Sequence, residues 1–130
     1  MITEDVVEFM LEDILGFHEY LEHFFVMEPG VMDMGLLESA VNAPFQCFAG
    51  EDLYPTIFDK AARLFFGLVK NHAFYDGNKR VAIHSTYVFL GVNGVKIDYT
   101  EEEMEAVVIN VATDKMLCEG LSSWIESKVV

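Results

Sequence analysis

His72-Ala73-Phe74-Tyr75-Asp76-Gly77-Asn78-Lys79-Arg80 runs without a break into Val81-Ala82-Ile83-His84-Ser85-Thr86-Tyr87-Val88-Phe89-Leu90. The second half is apolar nearly all round, the mark of a helix surrounded by other helices, and Asn93-Gly94 supplies its C-terminal stop. The first half is polar and carries a glycine, so it reads as a loop entering the N-terminus of that central helix, over about Asn78 to Val92. The first N–H groups of a helix have no partners within it. Those of Asn78, Lys79 and Arg80 therefore point outward together, with the helix dipole behind them. Gly77 lets the backbone turn and lets an anion come close. Lys79 adds a mobile charge and Arg80 a rigid guanidinium. Asp76 stands where a carboxylate could hold a divalent cation against phosphate oxygens, and His72 suits a base that takes a proton from a hydroxyl. Spacing alone fits a second arrangement equally well, in which Asp76 is an N-cap, His72 a helix terminator, and the cations a solvated first turn.

Outward from this stretch the patterning stays helical. Thr3 is expected to cap a first helix, with Val7, Met10, Leu11, Ile14, Leu15, Leu21, Phe24 and Phe25 as its apolar stripe. Glu28-Pro29-Gly30 ends it, and Val31 to Gly35 reads as loop. Leu36, Leu37, Ala40 and Val41 make a short helix that Pro44 stops. A longer helix begins near Asp52 with Pro55 in its first turn; Asp59, Arg63 and Lys70 mark its wet face. Val95 to Tyr99 alternates as extended chain does. Thr100 to Glu103 is a capping box opening a helix buried through Met104, Val107, Val108 and Val111, and a last helix carries Leu121, Trp124 and Ile125. No repeat or linker divides the chain, so residues 1–130 are expected to form one all-α domain.

Composition bounds the rest. Of 130 residues 52% are hydrophobic, enough for a core and too many for a disordered chain. The longest uncharged stretch, Val81 to Val95, is short of the roughly 20 apolar residues a membrane span needs, and the acidic N-terminus points to a cytoplasmic address. Cys47 and Cys118 are expected to be buried thiols. The net charge of −14 disfavours nucleic acid as the main partner. Yet Lys60 to Lys96 holds six cations against the single acid Asp76, a balance of +5 in a chain whose remainder carries −19. A small anion has a place to settle there. Glu19 and His23, one turn apart, are read as surface residues rather than a metal pair.

His72 to Arg80 resembles the core motif of the Fic/Doc family, HxFx(D/E)GN(G/K)R, at every fixed position, and the similarity continues through Phe89-Leu90-x-x-Asn93-Gly94. Gly35 to Val41 and Asp52 to Phe58 look like the Doc (death-on-curing) subgroup. The resemblance implies a compact Fic-fold helical bundle and transfer from a nucleoside triphosphate, ATP with Mg2+, to a protein hydroxyl. It implies His72 as base, Asp76 as the magnesium ligand, and Gly77, Asn78, Lys79 and Arg80 around the phosphates, with Phe74 anchoring the loop. His84, four residues after Arg80 and so on its helix face, is expected to line the same site in support. Ala73 stands where proline is common in the family. Ile83 replaces a second arginine and Lys79 a glycine, the pattern that goes with phosphorylation rather than nucleotide attachment (AMPylation). By the same resemblance the chain is a toxin, its target within the translation machinery. The inhibitory motif (S/T)xxxE(G/N) does not occur, since Lys115 precedes Glu119-Gly120 where the hydroxyl should be. Restraint is therefore expected from a separate antitoxin, a basic amphipathic segment laid near Val31 to Gly35. A Fic-type nucleotidyltransferase and a non-catalytic binding module are the alternatives.

Overall fold

The computed structural model describes residues 6–130. Six helices follow in order: α1 (Leu11–Glu22), α2 (Met34–Asn42), α3 (Ile57–Asn71), α4 (Asn78–Val92), α5 (Glu101–Ala112) and α6 (Cys118–Ser127). A 3-10 turn, Ala43–Phe45, and a two-stranded antiparallel hairpin, β1 (Cys47–Phe48) and β2 (Glu51–Asp52), lie between α2 and α3. Among the described residues the fold is all-α apart from that hairpin.

α3 lies deepest. None of its fifteen residues is exposed, and it packs against α2, α4, α5 and α6. α4 is buried along Val81, Ala82, Ser85, Phe89 and Leu90 but shows Lys79, Arg80, Tyr87 and Val92 to solvent. The most enclosed helix is thus one element earlier than the apolar run suggests. The wet face expected for α3 is covered by neighbours. Asp59 accepts a hydrogen bond from Ser122 of α6 at 2.7 Å, and the Lys60 ammonium, 4% exposed, donates to the Asp52 carboxylate at 3.0 Å and to the Tyr54 carbonyl. α3 starts at Ile57 rather than Asp52, because Thr56 and Asp59 form the capping box. Gly67 lets α2 approach α3, since a Cβ there would stand 3.1 Å from the Ala40 Cα.

α1 is shorter than its apolar spacing implied. It begins at Leu11, where the Met10 N–H is met by the Asp13 carboxylate, and it ends at Glu22; Val7, Met10, Phe24 and Phe25 are exposed. The Thr3 cap lies outside the described residues. The α5 capping box and its stripe of Met104, Val107, Val108 and Val111 are in place. Ile97 pairs across to Val129 as a single antiparallel bridge, bringing the C-terminus back beside the α4–α5 connection. Cys47 is exposed on the hairpin and Cys118 half-buried, against the expectation that both lie in the core. The hairpin is missed because Phe48-Ala49-Gly50-Glu51 lacks alternation long enough to read. Its turn residues, Ala49 and Gly50, both have positive φ.

Each end of α4 is closed by an asparagine side chain that pairs with a backbone as a strand would. Asn93 accepts from the Val7 N–H at 2.8 Å and donates to the Val7 carbonyl at 3.1 Å. Asn78 does the same to Phe74, at 3.0 and 2.9 Å. The lead-in to α1 is thus tied to one end of α4, and the motif loop to the other.

Candidate active site

His72 is the C-terminal cap of α3. It takes the left-handed conformation (φ 49°) that ends the helix, and its side chain is exposed. Five residues later the chain enters α4 through Gly77, also left-handed at φ 78°. The loop between is held from beneath. Phe74 is 1% exposed, and Ala73, also buried, accepts through its carbonyl from the Met32 and Asp33 N–H groups at 2.7 and 3.0 Å. Val31 pairs with Phe74 as an antiparallel bridge. This backbone pairing supplies the rigidity that a proline at position 73 would otherwise give.

The Asp76 carboxylate accepts from the Glu28 N–H at 3.0 Å and from the Gly77 N–H at 2.8 Å. Those two donors, the Glu28 amide first, hold its pKa below the ordinary carboxylate value. The stability this adds is present above that ordinary value, 3.8, and is lost only as the pH falls through the lowered one, so at neutral pH the group is ionised. It is exposed and both oxygens retain lone pairs, which fits a hard divalent cation. Among the described residues no three His, Cys, Asp or Glu side chains gather, so a cation at Asp76 would draw its remaining oxygens from phosphate and water.

No side chain caps α4, and its first internal hydrogen bond runs from the Val81 N–H to the Gly77 carbonyl at 2.9 Å. The N–H groups of Asn78, Lys79 and Arg80 are thereby left for an anion. The side chain of Asn78 is not: it is buried and fully engaged with Phe74, so this residue can meet phosphate only through its backbone. The Arg80 guanidinium lies 4.2 Å from the centroid of the Phe25 ring. A Cβ on Gly77 would collide with the Met27 methyl and sit 3.4 Å from His18 Nε2, and the backbone there is one that side chains rarely adopt. Gly77→Ala should therefore destabilise the protein by about 1–2 kcal/mol and weaken anion binding, read by chemical denaturation and by phosphate titration.

Lys79 and Arg80 also line a groove of about 750 Å³ between α4 and α5, together with Ile83, His84 and Tyr87. His84 is half-buried, its ring edge-on to Phe17 at 5.2 Å and stacked on Tyr20 at 5.5 Å. Burial lowers its pKa, which keeps it neutral at pH 7. The structure gives it no hydrogen bond to Asp76, whose partners are the amides above. Ile83, where the resemblance leads one to expect a second arginine, lines the same groove. His72 and Asp76 do not line this groove, so the sequence-expected residues divide into the loop and the groove, which meet at Lys79 and Arg80.

Sequence reasoning missed the contacts from α1. His18, 2% exposed, places Nε2 2.8 Å from the Asp76 carbonyl and Nδ1 2.8 Å from the Glu22 carboxylate, with its ring stacked on Phe74 at 4.2 Å. The signal was present: Ile14, His18 and Leu21 fall on one face of the helix.

The stretch that builds this loop and the helices around it, residues 8–90, matches the pattern of the Fic/DOC family. The chain belongs to the Fic/DOC family. It is 40% identical over 106 residues to "Toxin Doc" of Mycolicibacterium smegmatis, covering 73% of this chain and 82% of that protein. It is 26% identical over 105 residues to "Protein kinase doc" of Escherichia phage P1, covering 81% and 82%. In this Fic/DOC protein every residue of the family motif, His72 to Arg80, lies on the α3–α4 loop or the first turn of α4.

Proposed function

We propose that this chain is a Doc-like toxin that transfers the γ-phosphate of ATP to a hydroxyl of a target protein. The observation that carries the reading is the uncapped N-terminus of α4 beside an ionised Asp76, set in a complete motif whose histidine is free and exposed. The β- and γ-phosphates rest on the N–H groups of Asn78 to Arg80, with Lys79 and Arg80 countering their charge. Magnesium, when bound at Asp76, shields the phosphate oxygens. His72 takes the proton of the incoming hydroxyl. The hydroxyl oxygen bonds to the γ-phosphorus, the bond from that phosphorus to the bridging oxygen breaks, and ADP leaves. His84 supports the Arg80 face of the groove.

The names of the two relatives, one a toxin and one a protein kinase, support the same reading. An antitoxin partner goes with it, and a target in the translation machinery. Exposed Met32, Met34 and Leu36, with the acids Glu28, Asp33 and Glu38 around them, suit a basic amphipathic helix. Among the described residues no helix is long and apolar enough to cross a membrane. A cytoplasmic site of action is part of the proposal.

Lys79 and Ile83 favour the γ-phosphate. The lysine occupies space that glycine would leave open for an α/β-diphosphate, and Ile83 contributes no second guanidinium to grip the terminal phosphate of a nucleotide in the adenylylating pose. Parallel reactions of a cell extract with γ-labelled and α-labelled ATP test this. Label reaches protein from the γ position. Label from the α position alone would make the protein an adenylyltransferase, and label from neither would make it a binding module.

A further inference from the structure

We propose that His18 is a positioning residue of the phosphate site, an inference that rests on the function proposed above. Four observations converge on it. His18 comes from α1, 58 positions before the loop it touches, and it is buried although polar. Nε2 donates to the carbonyl of Asp76, the peptide that joins the carboxylate to the left-handed Gly77. The imidazole lies nearly parallel to the Phe74 ring (12°), which fixes its tilt. Nδ1 faces Glu22 one helical turn away, so the ring cannot spin without losing that contact.

The 76–77 peptide is a pivot. Rotating it would carry the Asp76 carboxylate off the Glu28 and Gly77 amides and swing the first N–H groups of α4 with it. His18 grips the carbonyl of that peptide, and the Met27 side chain packs beside it against Gly77. Its hydrogen bond thus sets how the carboxylate and the anion nest face each other, without touching nucleotide itself. Groups in this kind of supporting role are worth about 10–100-fold in affinity or activity.

His18→Phe keeps the stacking on Phe74 and removes the hydrogen bond; His18→Gln can return a donor to the position of Nε2. Two readouts separate the role from general packing. In the ligand-free protein, exchange of the Gly77 and Phe74 amides should speed up about tenfold in His18→Phe while the melting temperature stays within a few degrees. In transfer assays His18→Phe should need about tenfold more magnesium for half-maximal rate, and His18→Gln should recover most of the loss. His18→Met fills the space if the phenylalanine variant does not fold. Wild-type exchange and magnesium requirement in His18→Phe would overturn the inference, as would a His18→Gln variant equally impaired. If the wild-type protein transfers no phosphate from Mg-ATP, the proposed function fails, and amide exchange alone decides the place of His18.

Discussion

His72→Ala and His72→Asn should fold, bind Mg-ATP, and transfer the γ-phosphate at less than about one-hundredth of the wild-type rate. A general base contributes roughly 10²–10⁴-fold, and His72 is the exposed histidine of the motif, with no hydrogen bond to its ring among the described residues. The two variants are paired for a structural reason. Position 72 is left-handed at φ 49°, a conformation that costs alanine about 1–2 kcal/mol and asparagine less. Histidine already carries that cost, so alanine removes the base with little change in strain, while asparagine removes it and eases the strain. Rates are read with γ-labelled ATP and folding by thermal melts. Either variant keeping more than a tenth of wild-type turnover would remove His72 from the mechanism.

Asn78→Ala should destabilise the protein by about 2–4 kcal/mol. Its amide satisfies both the N–H and the carbonyl of Phe74, in a loop where neither can reach water. Truncation leaves two buried polar groups without partners, each costing about 1–3 kcal/mol. Asn78→Asp should be comparably harmful, since a carboxylate cannot donate to the Phe74 carbonyl and would be buried with its charge. Denaturant unfolding gives the number, and a loss below about 1 kcal/mol in the alanine variant would mean that the loop relaxes at little cost. Transfer should fall alongside, because the same bonds set the start of α4.

The limits of α4, Asn78 to Val92, and the buried stripe of α5 were legible because period and capping residues agree there. The start of α1 was misread because Val7 and Met10 continue the helical spacing before the helix begins, and spacing alone does not reveal which carboxylate closes the cap. Enclosure was harder still. Asp59, Arg63 and Lys70 look like a solvated face, and only the tertiary arrangement brings Ser122 to Asp59 and the Ala112 carbonyl and Asp114 carboxylate to Lys70. Within the site, the motif residues could be quoted from the chain, but the work of Asn78 could not, since a side chain bonding to the backbone four residues earlier leaves no trace in composition. The acid–histidine pair that drew attention was Glu19 and His23, both exposed. The equivalent pair His18 and Glu22, shifted by one residue, is the one that faces inward.

The paired asparagine clamps on α4 have a consequence for how the protein comes into being. α1 is made before the loop and α4, yet its bonds go to Asp76, and those of its lead-in to Asn93, 58 and 86 positions later. Contacts that distant close slowly, because the loop entropy is lost before any bond forms. α1 can therefore dock on the loop only after residue 76 has been made, and its lead-in only after residue 93, so the earliest-made of the six described helices is fixed late.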